Sequence, residues 1–520
     1  MEFSSTDLQQ MAACGIAVEA VKEQLQRFQQ GVPPIRIERP CTIDDGIRQL
    51  DTPEIHRLRQ RFQTALNRGR VTKMVPASGA ATRMFQALLT VLERNDLPEV
   101  NDLRQQAHIN QQVRDTLTFL ENLEQFPFQT KLARLAQARG TDLKTELAAG
   151  VYREVLQDLL TTRGMDCVRL PKAVLPFHSY KDYTRTAVEE HLQEAQQYAC
   201  DREGRLRLHL TISDESRAAV EGLLARAAAS QLPASLVLEI TCSDQHTSTD
   251  TIAVDSDNYP LRDDQGRLVF RPGGHGALLE NLQELGGDVI FVKNIDNVAH
   301  DRHLALTVEY KQALGGLLLE LQDQLFAWLQ EMTTTAISPD SLGEMLLFVQ
   351  QELGLQPPGD VLEATAAVQL PWMIARLNRP LRICGVVRNE GEPGGGPFWV
   401  RDDAGMETKQ LVELGQVDVS DPDQQELVNG ATHFSPVDLV CGVRDFRGDP
   451  FDLHQFRDPA SGMISEKSYQ GRQLKALELP GLWNGGMAYW NTVFVEVPPL
   501  TFNPVKSVLD LLRPPHQPQD

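Results

Sequence analysis

The stretch FVKNIDNVAHD, residues 291–301, carries an apolar run straight into Asp296 and Asn297. A carboxylate at that position has two readings. It is turn chemistry where a strand surfaces, or a ligand for a hard cation at the carboxyl end of a parallel strand. Four further stretches hold groups suited to anions. VPASGAATRMF (75–85) reads as a strand, a turn of small residues and a helix start. Ser78, Gly79, Ala80 and Thr82 would let backbone N–H groups approach phosphate oxygens, and Arg83 in the first helical turn would pair with a phosphate bidentately. Strand–helix packing accounts for the same turn, which is neither a P-loop nor a GxGxxG fingerprint. In LPKAVLPFHSYKDYTRT, Pro171 holds Lys172 in an extended segment, as a positioned cation or as a surface lysine. FRPGGHGALLENLQEL (270–285) is a turn opening a helix, with Gly273, Gly274 and Gly276 permitting close backbone approach and His275 either idle or facing a base or phosphate. In TFNPVKSVLDLLRP (501–514), Lys506 either snorkels out of a core or points into a cleft.

The elements that must position these groups alternate. Residues 1–70 read as helices, LQQMAACGIAVEAVKEQLQRFQQG and TPEIHRLRQRFQTALNRG, forming a packing cap or an oligomerisation element. From residue 71, RVTKMVPAS, RLRLHLTIS (205–213), SLVLEITCS (235–243) and DVIFVKNID (288–296) read as strands with helical pattern between them. ATRMFQALLTVLERN reads as a helix, and another begins near Thr184. Such alternation implies a mostly parallel sheet covered by helices, with helical insertions at about 100–165 and 311–365. After Leu381 short strands and Gly-rich turns form a β-rich part. The expected division is a helical cap (1–70), a core (71–440) and a C-terminal segment (441–520) that completes the site.

At 520 residues the chain exceeds one ordinary core. Hydrophobic residues make up 41%, yet no run approaches the roughly 18 a membrane span needs. The N-terminus opens acidic and polar, unlike a signal peptide. Seven cysteines without CxxC or Cys/His spacing fit a reducing cytoplasm and argue against structural zinc. The formal charge of −21 excludes nucleic acid as an expected partner and requires any phosphate site to be locally basic. The oligomeric state is not readable.

Together these blocks resemble, in order, the UDP-glucose and UDP-sugar pyrophosphorylases. RPGGHGALLENL and DVIFVKNIDN are similar to that family's Pro-Gly-His-Gly loop and Asp-Asn strand end. KQLVELGQVD (409–418) is similar to its Leu-Val-Glu segment, and WNTVFVEVPPLTFNPVKSVLDLL to its Asn-Thr and Pro-Val-Lys motifs. The resemblance, scattered over residues 71–515, implies a Rossmann-like GT-A α/β core in an uncharacterised bacterial family of that superfamily. It implies a nucleotidyltransferase joining a nucleoside triphosphate, UTP first, to a sugar 1-phosphate with Mg²⁺ as cofactor. By resemblance, Arg83, Lys172 and Lys506 are catalytic. Ser78, Gly79, Ala80, Thr82, Gln245, Gly274 and His275 bind nucleotide, Asn297, Glu413 and Asn491 bind the sugar phosphate, and Asp296 holds the metal. Ser78 and Ala81 stand where the family's Gly-Gly-x-Gly-Thr-Arg loop has glycines. A GT-A glycosyltransferase would share the Asp, but its usual Asp-x-Asp is absent from the Asp-Asn-Val at 296–298. The altered loop leaves room for a non-catalytic nucleotide- or sugar-phosphate-binding protein.

Overall fold

The strands and helices fall into two units, each assembled from three separated segments. Unit 1 comprises Met1–Met74, Ser243–Val292 and Tyr310–Val497; unit 2 comprises Val75–Cys242, Lys293–Glu309 and Pro498–Asp520. The computed structural model describes residues 3–94, 106–334, 337–391, 394–402, 405–469 and 472–519. Its strands are β1 (Ile37–Pro40), β2 (Thr42–Ile43), β3 (Gly46–Arg48), β4 (Val71–Pro76), β5 (Pro176–Ser179), β6 (Thr184–Thr186), β7 (Arg205–Thr211), β8 (Val237–Ser243) and β9 (Thr251–Val254). They continue as β10 (Phe270–Arg271), β11 (Val289–Lys293), β12 (Leu381–Arg388), β13 (Gly395–Arg401), β14 (Glu407–Glu413), β15 (His433–Gly442), β16 (Met463–Tyr469), β17 (Arg472–Glu478) and β18 (Asn491–Glu496).

Unit 1 is built on neighbouring strands in the order β2-β3-β18-β12-β15-β11-β4. The β2/β3, β3/β18, β18/β12 and β11/β4 pairs are parallel and β12/β15 is antiparallel. The expected α/β architecture with a mostly parallel sheet is therefore present. Strands buried on both faces need apolar residues at successive positions, as VIFV in β11 shows. Ile290, Val292, Leu439, Phe494 and Trp483 share one core with the helix Leu278–Leu285. The helix Thr52–Asn67, started by an Asp51/Glu54 capping box and Pro53, meets the long helix Leu304–Thr334 at Gly315 and Gly316. A Cβ on Gly316 would lie 2.0 Å from the Leu58 carbonyl oxygen, so only glycine permits that crossing. The N-terminal helices Ser5–Cys14 and Val18–Gln30 bury Met11, Val21 and Phe28 against Ile252, Val254 and Leu477 of the β10-β9-β17-β16 sheet. A third sheet runs β1-β13-β14, antiparallel throughout.

Unit 2 holds the neighbours β7 and β8 and the β5/β6 antiparallel pair. Helices Gln111–Glu121, Gln129–Ala138 and Tyr152–Leu160 fill the 100–165 insertion, packed around Phe119, Phe126 and Phe128. Among the described residues no helix is long and apolar enough to cross a membrane.

Several boundaries differ from the sequence reading. The first 70 residues are not all helical, since β1, β2 and β3 lie between Pro33-Pro34 and Asp51. These strands are two to four residues long, too short for alternation to register. Residues 81–83 form a 3₁₀ turn and the α-helix starts only at Gln86, so Arg83 precedes the helix. Thr184–Thr186 is strand, and the helix Ala187–Tyr198 opens after it on a Thr186/Glu189 capping box. The strand leading to Asp296 ends at Lys293, three residues early. Residues 95–105 of the first insertion lie outside the described residues.

Candidate functional site

In unit 2, two lysines converge on one carboxylate. Lys172 Nζ donates to Asp296 Oδ2 at 2.9 Å, and Lys506 Nζ donates to the same oxygen at 3.3 Å. Asp296 is 7% exposed, so burial disfavours its charge. The two ammonium groups outweigh that penalty and hold the carboxyl below its ordinary range. Two cations about one anion leave net positive charge, the locally basic patch that an anionic ligand requires against a chain charge of −21.

Backbone contacts fix the segments that deliver these groups. Asn297 and Pro504 form an antiparallel bridge, Val505 N donates to Asp296 O at 3.0 Å, and Asn503 N donates to Asn297 Oδ1 at 2.9 Å. Lys172 Nζ also donates to Val505 O at 2.8 Å, so one ammonium ties two segments together. His191 on the helix Ala187–Tyr198 places Nε2 3.1 and 3.2 Å from the carbonyls of Asn294 and Ile295, steadying the turn that carries Asp296. Farther along the C-terminal segment, His516 Nδ1 lies 2.9 Å from His178 Nε2, and His178 Nδ1 lies 2.9 Å from Glu190 Oε1. Burial pushes Glu190 up to about 7 and His178 down to about 3, so this chain of groups resists carrying charge.

The small-residue loop is held by the segment bearing Lys172. Lys172 N donates to Gly79 O at 3.3 Å and Ala81 N to Leu170 O at 3.2 Å, and Ala77 N donates to Thr211 O at 2.8 Å. Thr82 Oγ1 donates to Val168 O. Ser78 is half-buried, Gly79 and Ala80 are exposed, and a Cβ on Gly79 would meet nothing within 4 Å. Arg83 is exposed and has no partner among the described residues. The Asn297 Nδ2 amide is buried without an acceptor among those residues.

In unit 1, His275 and Glu413 are neighbours, with Nδ1 and Oε1 4.0 Å apart. Trp483 Nε1 donates to His275 Nδ1 at 3.2 Å, which sets the imidazole tautomer. Burial, with the nearby Glu478 charge, pushes Glu413 up to about 7. Gly274 has φ +67° and faces open space. Gly273 and Gly276 instead serve the chain's own packing, because Cβ atoms there would strike Thr249 O at 2.5 Å and Leu479 Cβ at 2.4 Å. Gln245 is half-buried in the loop after β8. Asn491 is buried at the start of β18 and donates Nδ2 to Leu377 O at 3.3 Å.

Thus Lys172, Asp296, Asn297 and Lys506 stand together in unit 2, as His275 and Glu413 do in unit 1. The sequence reading missed Asn503, Val505, His191 and the His178–Glu190–His516 chain. An Asn-Pro beside an apolar-flanked lysine was the one available signal, and the backbone contributions carried none.

Among the described residues no group of three or more His, Cys, Asp or Glu side chains could hold a metal ion. Mg²⁺ is commonly held by one or two carboxylates with substrate phosphates completing its shell. Asp296 is the one carboxylate of this cluster that could serve such an ion.

A family model described as "Domain of unknown function (DUF4301)" matches residues 4–517. No curated protein matches the chain in sequence. Among solved structures, UDP-N-acetylglucosamine pyrophosphorylase from Trypanosoma brucei aligns at 12% identity and TM-score 0.47, over 97% of this chain and 76% of that one. A point mutant of UDP-glucose pyrophosphorylase from Leishmania major, in complex with UDP-glucose, aligns at 12% identity and TM-score 0.45, over 98% and 79%. UDP-glucose phosphorylase from Trypanosoma brucei aligns at 14% and TM-score 0.44, over 98% and 77%.

Proposed function

The chain belongs to the DUF4301 family, and from that premise we propose that this member is a nucleotidyltransferase joining a nucleoside triphosphate, UTP foremost, to a sugar 1-phosphate. The observation that carries the reading is the convergence of Lys172 and Lys506 on the buried Asp296. The order of motifs that resembles the UDP-sugar pyrophosphorylases supports it.

In this reading a sugar phosphate oxygen attacks the α-phosphorus, a new P–O bond forms, and the bond to pyrophosphate breaks in line. Protein groups position two mutually repelling anions and stabilise charge that gathers on the leaving oxygens. Lys172 lies under the loop and neutralises the nucleotide phosphates, while Ser78, Gly79, Ala80 and Thr82 line them and Arg83 reaches them from the rim. Lys506 stabilises charge on the phosphates between the two substrates. Asp296 orients both ammonium groups and would hold Mg²⁺ together with phosphate oxygens, and that ion would supply additional charge neutralisation. Asn297 would offer its amide to a sugar phosphate oxygen. Roles for Gln245, Gly274 and His275 toward the nucleotide, and for Glu413 and Asn491 toward the sugar, rest on the motif resemblance alone.

The test is pyrophosphate release from a panel of nucleoside triphosphates and sugar 1-phosphates with Mg²⁺. Release from one pairing, abolished by Asp296→Asn, is the expected result. Thermal stabilisation by a nucleoside triphosphate without release from any pairing would replace the enzyme with a binding protein. Release of free nucleoside diphosphate from an NDP-sugar, with no pyrophosphate exchange, would indicate a glycosyltransferase.

A further inference from the structure

A cavity of about 480 Å³ in unit 1 shares no residue with the His275–Glu413 pair. One of its walls is a row of side chains across three strands. Arg39 on β1 pairs in register with Trp399 on β13, and Trp399 pairs with Lys409 on β14. Partners in register on neighbouring strands present their side chains side by side, so cation, indole and amine lie in line. The Arg39 guanidinium sits 4.6 Å from the Trp399 ring centroid, and Trp399 Nε1 donates to Asp45 O at 3.3 Å. Gly354, whose φ is +70°, packs directly on this row, since a Cβ there would lie 2.8 Å from Trp399 Cη2 and 3.4 Å from Lys409 Nζ.

The charges around this cavity are unevenly matched. Arg39 bonds Asp45 at 2.9 Å and Glu407 at 2.6 Å, and Arg48 bonds Glu54 and Glu352, each at 2.8 Å. Each arginine thus already faces two carboxylates. Lys409 is 7% exposed and lines the cavity, and its Nζ has no hydrogen-bond partner among the described residues. The Nζ atom itself keeps access to the cavity space, where its donors are open to a ligand. Burial pushes this amine down to about 8, against the opposing pull of the nearby Cys41 and Glu352.

We propose that this cavity is a second small-molecule site, for a hydroxyl-rich monoanion of the sugar-acid class, whose carboxylate pairs with Lys409. The surplus carboxylates and the glutamines at 350, 351 and 356 accept from and donate to its hydroxyl groups. A volume of this size falls in the range of small-ligand sites. The inference stands on the cavity alone and does not depend on the proposed reaction.

The test uses the full chain carrying Lys172→Met and Lys506→Met, so that the other cationic site is disabled, with binding followed by calorimetry. Gluconate, glucose 6-phosphate and uncharged glucose are the probes. Gluconate should bind more tightly than glucose, and adding Lys409→Met should weaken it about tenfold or more, the scale of one charged hydrogen bond. Tighter binding of glucose 6-phosphate than of gluconate would overturn the sugar-acid assignment. Neither anion binding better than glucose, or an unchanged affinity in the Lys409→Met chain, would overturn the proposal. A second measurement needs no variant: reductive methylation of the wild-type chain at pH 8, read by peptide mass spectrometry. Lys409 should be modified without ligand and protected by the bound anion; equal labelling under both conditions would refute the site.

Discussion

Lys172 and Lys506 bond the same Asp296 oxygen from different degrees of shelter, and that difference separates their effects. The Lys172 side chain is 12% exposed and also holds Val505 O, whereas the Lys506 side chain is 66% exposed. Lys172→Met therefore leaves a buried carboxylate and a carbonyl short of a donor, and should lower stability by about 2–3 kcal/mol as well as activity. Lys506→Met should move stability by less than about 1 kcal/mol, since exposed pairs contribute little. It should nonetheless lower kcat by about 10²-fold, the scale of one lost electrostatic donor. Urea unfolding beside pyrophosphate release checks both. Glu413 gives a pH prediction. Its pKa is raised from 4.5 to about 7 in the folded chain, chiefly by burial and then by Glu478. The folded state then binds more protons than the unfolded state across that window, so this contribution to stability is present below 4.5 and is lost as pH rises to about 7. Glu413→Gln should flatten that part of the stability–pH curve; an unchanged curve would contradict the assignment.

Close approach between two helices makes the next prediction. In Gly316→Ala the new methyl meets a backbone carbonyl 2.0 Å away, which cannot rotate aside as a side chain would. Alanine's better helix propensity recovers about 1 kcal/mol. Overpacking costs about 1–3 kcal/mol or more, so a net loss near 2 kcal/mol is expected in denaturant unfolding. The sequence made the long apolar strands legible, because β4, β7, β8 and β11 repeat β-branched and aliphatic residues. It made Lys172 and Lys506 conspicuous because charge interrupts an apolar, proline-bounded context. It hid β1 to β3, whose few residues cannot show a period, and the 3₁₀ turn at Arg83, whose composition passes for helix. Asn503 and Val505 act through main-chain atoms, which every residue has and no side-chain pattern encodes. Lys409 sat inside a motif noticed for Glu413, and its cavity draws on segments far apart in the chain.

At the scale of the whole chain, a net charge of −21 surrounds a small cationic cluster. At about 10 mM ionic strength the Debye length is about 30 Å, and an approaching nucleotide feels the collective negative field. At physiological salt the length falls to about 8 Å, leaving mainly the nearby ammonium groups. Raising salt over that interval should increase the association rate of a nucleoside triphosphate, and stopped-flow binding measures it. A rate that falls steadily from the lowest salt would show that local attraction governs the whole approach.

The Lys506–Asp296 contact spans 210 residues of chain and the Lys172–Asp296 contact spans 124. At about 5–20 residues per second, a ribosome takes roughly 10–40 s to travel from Asp296 to Lys506. Through that interval the nascent chain holds a carboxylate and the first of its lysines, with the second not yet made. The second ammonium, the Val505 carbonyl that holds Lys172 and the Asn297–Pro504 bridge all come from the C-terminal segment, which is made last. The cluster is accordingly completed only after most of both units has been synthesised.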